Sequence, residues 1–160
     1  MSTLSNDSKF VYCVSICYCF QNTVSGFLNG INVCKRRAIR ENNVKAFTMF
    51  DIDRYGIGKV MEMAMDHLAG KKARPIHMSY DIDAVDPSVA PSTGTAVPGG
   101  LSYREGHFVA EFAAHTGLLG SMELVEVNPS IGSTPNSDEP TRTVKFAKEL
   151  LDSALGRAIM

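Results

Sequence analysis

Residues 75–100 read PIHMSYDIDAVDPSVAPSTGTAVPGG. An apolar run opened by Pro75 ends on Asp81 and Asp83, which predicts a strand over 75–83 with two carboxylates at its carboxyl end, where open parallel sheets place their ligands. Alternate residues of a strand face the same way, so the two carboxylates are expected to converge on one point. Hard oxygen donors suit manganese, magnesium or calcium, and a shared carboxylate can bridge two ions about 3.5–4 Å apart. An Asp-x-Asp pair alone is more often turn chemistry or a helix cap, so the surroundings must carry the argument. Directly after the pair, 84–101 is a loop rich in Pro, Gly, Ser and Thr, and a loop that long inside a compact domain is usually functional.

On either side of this stretch the pattern alternates. The apolar run 44–50 reads as a strand ending on Asp51 and Asp53, and Asp53 is placed to cap a helix over 54–69. There Ile57, Val60, Met61, Ala64, Met65 and Leu68 recur at helical spacing and Gly70 closes the turn. Ser102, with Glu105 three residues on, is a capping box for a helix over 103–116 that Gly117 stops. Residues 122–127 form a third strand. A polar loop from Asn128-Pro129 runs to Pro140, and a last helix takes 141–156. A short basic helix is expected over 31–42, followed by an Asn42-Asn43 turn. The fold class is therefore α/β: a partial parallel sheet of three or more strands with covering helices.

The chain has 160 residues, 44% apolar and 21% charged, enough for one globular domain with a true core. Lys plus Arg number 16 against 17 Asp plus Glu, without a basic stripe carrying aromatics, so nucleic acid is not an expected partner. The longest apolar run, Phe10 to Phe20, is about half of what crosses a bilayer, so a membrane span is excluded. That run has the length of a signal-peptide core. Lys9 is offset by Asp7, however, and no small-residue cleavage site comes after it, so no export signal is expected. Cys13, Cys17, Cys19 and Cys34 lack zinc-site spacing and read as small hydrophobes. The expected compartment is the reducing cytoplasm. Residues 1–30 differ in composition from the rest, with a boundary near Gly30.

The strand ends gather acids on one rim: Asp51 and Asp53, Asp81 and Asp83, and Glu126. Asp51 and Asp53 read better as cap and turn. Glu126, between Val125 and Val127, would be costly to bury unpaired and is expected to need a cationic partner or several donors. His77 has the parity of Asp81 but lies about 13 Å behind it at roughly 3.3 Å per residue, which makes it a hydrogen-bonded core histidine. His67, His107 and His115 fall on helix faces as surface or packing residues.

With these residues in view, SYDIDAVDPSVAPSTGTAVPGG (79–100), GLSYREG (100–106), LVEVNPSIG (124–132) and FDIDRYGIGKVME (50–62) together resemble the carboxyl-terminal half of an arginase, of the manganese ureohydrolase family. The resemblance implies a hydrolase in which two manganese ions activate water for attack on the guanidinium carbon of L-arginine, giving L-ornithine and urea. By motif position, Asp81 matches the carboxylate bridging both ions and Asp83 a ligand of one. Glu126 matches the glutamate that binds the guanidinium at the catalytic centre, and Thr95 a substrate-side loop residue. Arg104 and Glu105 match residues used between subunits of trimeric arginases, with Arg157 as their partner. The Asn128–Gly132 run resembles arginases more than agmatinases.

The resemblance also implies four further metal ligands, a histidine and an Asp-x-His-x-Asp cluster, and this sequence has no Asp-x-His-x-Asp. Two protein ligands leave most coordination positions to water. The expectation is a partial arginase-like domain over 31–160 behind an atypical segment 1–30, from a truncated and inactive form of an arginase. The alternatives are a non-catalytic fragment that joins full-length arginase and an agmatinase-like enzyme. A phosphoesterase is weaker, because the loop offers no glycine-lysine phosphate cradle. Half a sheet is also expected to expose an apolar strand edge.

Overall fold

The computed structural model describes the backbone of Tyr12–Ile16, Glu41, residues 45–69, Ala73 and residues 75–157. Its elements are β1 (Tyr12–Ile16), α1 (Met49–Ala69), β2 (Ile76–Asp81), a 3₁₀ turn at Ile82–Ala84, α2 (Tyr103–His115), β3 (Leu119–Val125) and α3 (Glu139–Ala154). The three strands lie in the order β1-β2-β3, and both pairings are parallel. The α/β reading with a partial parallel sheet is therefore correct. The helix expected over 31–42, the Asn42-Asn43 turn and the Gly70 stop lie outside the described residues, apart from Glu41.

Strand β2 sorts its side chains by parity. Ile76, Met78 and Tyr80 are fully buried, while His77, Ser79 and Asp81 on the other face are partly exposed. The buried face joins a cluster with Met61 and Met65 of α1, Val109, Ala110 and Ala113 of α2, and Phe146, Ala147 and Leu150 of α3. The opposite face is polar: Ser79 donates to Glu123 at 2.8 Å and His77 Nδ1 lies 2.8 Å from Ser121 Oγ. His77 is thus hydrogen-bonded as expected but partly exposed rather than in the core, because its parity turns it away from the helices. His107 is the buried one. It packs against Phe146 with ring centroids 5.1 Å apart and meets Ser153 Oγ at 2.9 Å.

The strand expected over 44–50 is absent from 45–50. Thr48 and Asp51 win that segment for a helix: the Asp51 carboxylate accepts from Thr48 N–H at 2.7 Å and from its hydroxyl at 2.8 Å. This reciprocal cap starts α1 at Met49, five residues before the expected start. The cap is made by Asp51 and not by Asp53, the residue expected to cap a helix from 54, which instead lies inside α1 because the Thr48–Asp51 pair starts the helix earlier. Neither stands at a strand end, so the acidic rim loses two of its five members. Gly56, at φ 77°, breaks α1 into two helical pieces.

α2 begins as the capping box predicts. The Ser102 side chain accepts from Glu105 N–H, and the Glu105 carboxylate takes Ser102 N–H at 2.9 Å. Inside α2, Gly106 is a packing requirement, since a Cβ there would meet Phe146 Cζ at 2.9 Å and the Tyr80 hydroxyl at 3.0 Å. That close approach lays α2 onto β2. β3 starts earlier and ends sooner than the expected 122–127, and α3 starts two residues before the expected 141.

Candidate functional site

The carboxyl end of β2 is where the strand reading and the structure part company. β2 stops at Asp81, and Ile82–Ala84 tighten into a 3₁₀ turn because the Asp81 carboxylate takes the Asp83 N–H at 2.9 Å. The two aspartates are therefore linked by an Asx-type turn, from the main chain of one to the side chain of the other, and not by strand alternation. Asp83 is buried and Asp81 half-buried. Partial burial is the main cause that pushes the Asp81 carboxyl above its ordinary range. Like charges on Asp83 and Glu126 push the same way, and the Asp83 N–H pulls against them.

Glu126 sits one residue past the end of β3. Among the described residues it is the one non-glycine with positive φ, at 66°. That left-handed turn takes its side chain out of the ladder, and the residue is exposed. The expected burial penalty at Glu126 does not arise, because the residue is exposed. Its carboxylate lies over the loop, with Oε2 3.7 Å from where a Cβ on Gly94 would stand.

The loop after β2 is closed at its neck. Asp86 N–H donates to Leu101 O at 2.9 Å, Leu101 N–H donates to Ala84 O at 2.8 Å, and Val85 and Leu101 form a lone parallel bridge. This makes it a compact Ω-type loop. The Asp86 carboxylate ties both ends of the span, taking Ser88 N–H at 2.9 Å and Gly99 N–H at 2.8 Å. Hydrogen bonds from Ser88, then from Gly99 and Gly100, hold this carboxyl below its ordinary range. Helix α3 pins the middle: buried Thr143 accepts from Ser92 N–H at 3.0 Å, and Arg142 donates to Ser88 O at 3.1 Å.

Sequence reasoning missed Thr93. It is buried, and its hydroxyl reaches both the Asp83 carboxylate and, at 2.8 Å, the Glu126 carbonyl. Its neighbour Ser92 accepts from Asn128 N–H at 3.0 Å. Nothing in the sequence distinguishes Thr93 from Thr95, because its partners lie 10 and 33 residues away. Thr95 itself is exposed at the loop surface. Arg104 grips Glu111 through two bonds of 2.9 and 2.8 Å, Glu105 is engaged in the Ser102 cap, and Arg157 faces Asp152 at 3.7 Å.

Asp81 and Asp83 fit a hard divalent cation in donor type, being oxygen ligands. Their number does not complete a two-ion site: among the described residues no group of three or more His, Cys, Asp or Glu side chains could hold a metal ion. Nor is any described helix long and apolar enough to cross a membrane.

Comparison with known proteins identifies relatives of this chain and of its fold. The arginase of Glaciozyma antarctica is 49% identical over 133 residues, covering 83% of this chain and 38% of that protein. Arginase-1 of Sus scrofa is 43% identical over 145 residues, covering 91% of this chain and 44% of that protein. The crystal structure of Bacillus subtilis arginase superposes with a TM-score of 0.68 at 38% identity, over 81% of this chain and 43% of that one. The chain thus spans less than half the length of these relatives. The Arginase family model matches residues 11–156, from just before β1 to just past the end of α3, and the chain belongs to the arginase family.

Proposed function

We propose that Asp81, Asp83 and Glu126 form the carboxylate side of an arginase-type centre that hydrolyses L-arginine to L-ornithine and urea. The observation that supports the reading is the Asp81–Asp83 turn at the carboxyl end of β2, joined through the Thr93 hydroxyl to the main chain of Glu126 just past the end of β3. Asp81 and Asp83 would hold manganese, which when bound supplies Lewis-acid polarisation and an activated water. The exposed Glu126 carboxylate offers a planar, bidentate acceptor for a guanidinium, and such charge-assisted pairs are about twice as strong as neutral hydrogen bonds. Thr95, on the loop beside it, is assigned to the substrate side. Two carboxylates do not make a binuclear centre, so arginine turnover needs ligands beyond Asp81 and Asp83. This chain by itself is assigned as inactive, and its compartment as the cytoplasm.

The test is a manganese titration followed by electron paramagnetic resonance, with urea release measured in parallel on L-arginine and agmatine. Expected is weak binding, with a dissociation constant of about 10⁻⁴–10⁻³ M as in sparse oxygen-ligand sites, lost in the Asp81→Asn/Asp83→Asn double variant, and no urea. Binding that ignores both aspartates rejects the centre; urea release near that of an intact arginase rejects the inactive assignment.

A second reading is favoured by the sheet, in which β3 stands at an edge of the three described strands. An open parallel edge is a template for another chain. In this reading the chain is a non-catalytic fragment that joins full-length arginase, with Arg104, Glu105 and Arg157 on the contact surface. Co-purification of mixed oligomers supports it, and their absence in a mixing experiment sinks it.

A further inference from the structure

We propose that Thr93 is a positioning residue whose single hydroxyl holds the buried Asp83 carboxylate and the main chain of Glu126 at a fixed separation. Its functional consequence rests on the arginase-type reading above. A threonine hydroxyl has one proton to give and here has two acceptors, the Asp83 carboxylate and the Glu126 carbonyl, the latter at 2.8 Å. The hydroxyl is thus shared between the end of β2 and the end of β3.

The backbone on the β3 side needs such a tie. Glu126 is held at φ 66°, a conformation an L residue adopts only when its surroundings impose it. Two bonds from consecutive loop residues bracket it: Thr93 Oγ1 to Glu126 O, and Asn128 N–H to Ser92 O at 3.0 Å. Gly94 completes the seat, since the Glu126 Oε2 atom lies 3.7 Å from where its Cβ would be and a longer side chain there would displace the carboxylate. Ser92 itself is pinned by Thr143 of α3. Position therefore passes from α3 through the loop to Glu126, and Thr93 is the point at which Asp83 joins.

Three variants separate the hydroxyl from the methyl: Thr93→Ser keeps the donor, Thr93→Val keeps the shape, and Thr93→Ala removes both with the least strain. Two readouts by NMR need no metal and no activity: the backbone couplings that report φ at Glu126, and amide exchange at Asn128. The Glu105 amide inside the capping box reports that the rest of the fold is intact. Expected is a wild-type pattern in Thr93→Ser. In Thr93→Val and Thr93→Ala, Glu126 leaves positive φ and the Asn128 amide exchanges about tenfold faster, the effect of losing roughly one hydrogen bond.

If all three variants keep Glu126 at positive φ, or if serine fails where valine succeeds, the hydroxyl is not the tie and the proposal is overturned. Manganese titration of the same proteins separates this from the functional reading. Aspartate-dependent binding weakened in Thr93→Val and kept in Thr93→Ser supports both. A serine–valine contrast at Glu126 without aspartate-dependent binding keeps the positioning role and removes the arginase-type reading.

Discussion

Substituting Gly100 by alanine probes the neck of the loop that carries the site. A Cβ at Gly100 would stand 2.7 Å from Ala84 O, 2.7 Å from Asp86 N and 2.8 Å from Val85 C, all main-chain atoms that no rotamer change can move. The neck must open by several tenths of an ångström, at an overpacking cost of about 1–3 kcal/mol. Opening it stretches the bonds from Leu101 N–H to Ala84 O (2.8 Å) and from Asp86 N–H to Leu101 O (2.9 Å). Each weakened bond adds about 0.5–1 kcal/mol, so the expected loss is about 2–5 kcal/mol. Gly99 is the internal comparison. It has φ +89° but nothing within 4 Å of where a Cβ would stand, so alanine there incurs only the left-handed penalty of about 1–2 kcal/mol. Urea unfolding followed by far-ultraviolet circular dichroism should place the Gly100→Ala midpoint about 0.7–5 M below wild type, given slopes of about 1–3 kcal/mol/M. The amides of Asp86 and Leu101 should lose protection. A Gly100→Ala loss under about 1 kcal/mol, or one smaller than that of Gly99→Ala, would show that the neck is not closely packed.

Three further outcomes are expected. Burial lowers the His107 pKa below its ordinary value, opposed by Glu149 and Glu111 and aided by Arg104, and its Nε2 has no partner. Between the lowered folded value and the unfolded 6.5 the unfolded chain binds more protons, so stability should be full above pH 6.5 and fall as pH drops below it. Chemical denaturation from about pH 7.5 to 5 should show this slope flattened in His107→Gln, and an equal slope in both proteins would contradict it. Ser102→Ala removes the side-chain half of the α2 capping box and should cost about 1 kcal/mol, with a melting temperature lowered by about 2–4 °C; an unchanged melting point would mean the cap contributes nothing. Asp81→Asn keeps the acceptor for Asp83 N–H while removing one of three like charges, so it should raise the melting temperature as it abolishes manganese binding, and a destabilised Asp81→Asn protein would refute the repulsion.

How much of this was legible depends on how far apart the interacting groups lie in the chain. The Ser102/Glu105 cap, the Gly117 stop and the helical spacing from Ile57 to Leu68 involve residues three or four apart, and all three are where the sequence puts them. The same locality misled at 44–50, where a Thr48–Asp51 cap outweighed an apolar run. The strand alternation expected to align Asp81 with Asp83 does not reach Asp83, since a turn bond from the Asp83 N–H to the Asp81 carboxylate ends the strand first.

Local sequence settles the presence of β2 and β3, the α2 start that carries its own cap, and the placing of a charged motif at the end of β2, because each rests on patterns and bonds within a short peptide. Long-range packing is needed to turn Glu126 outward at positive φ, to hang Ser92 from α3 and to make one threonine hydroxyl serve both Asp83 and Glu126. Those bonds span 10 to 51 residues and form only once the sheet and helices have brought distant segments together, so no local pattern in the chain encodes them.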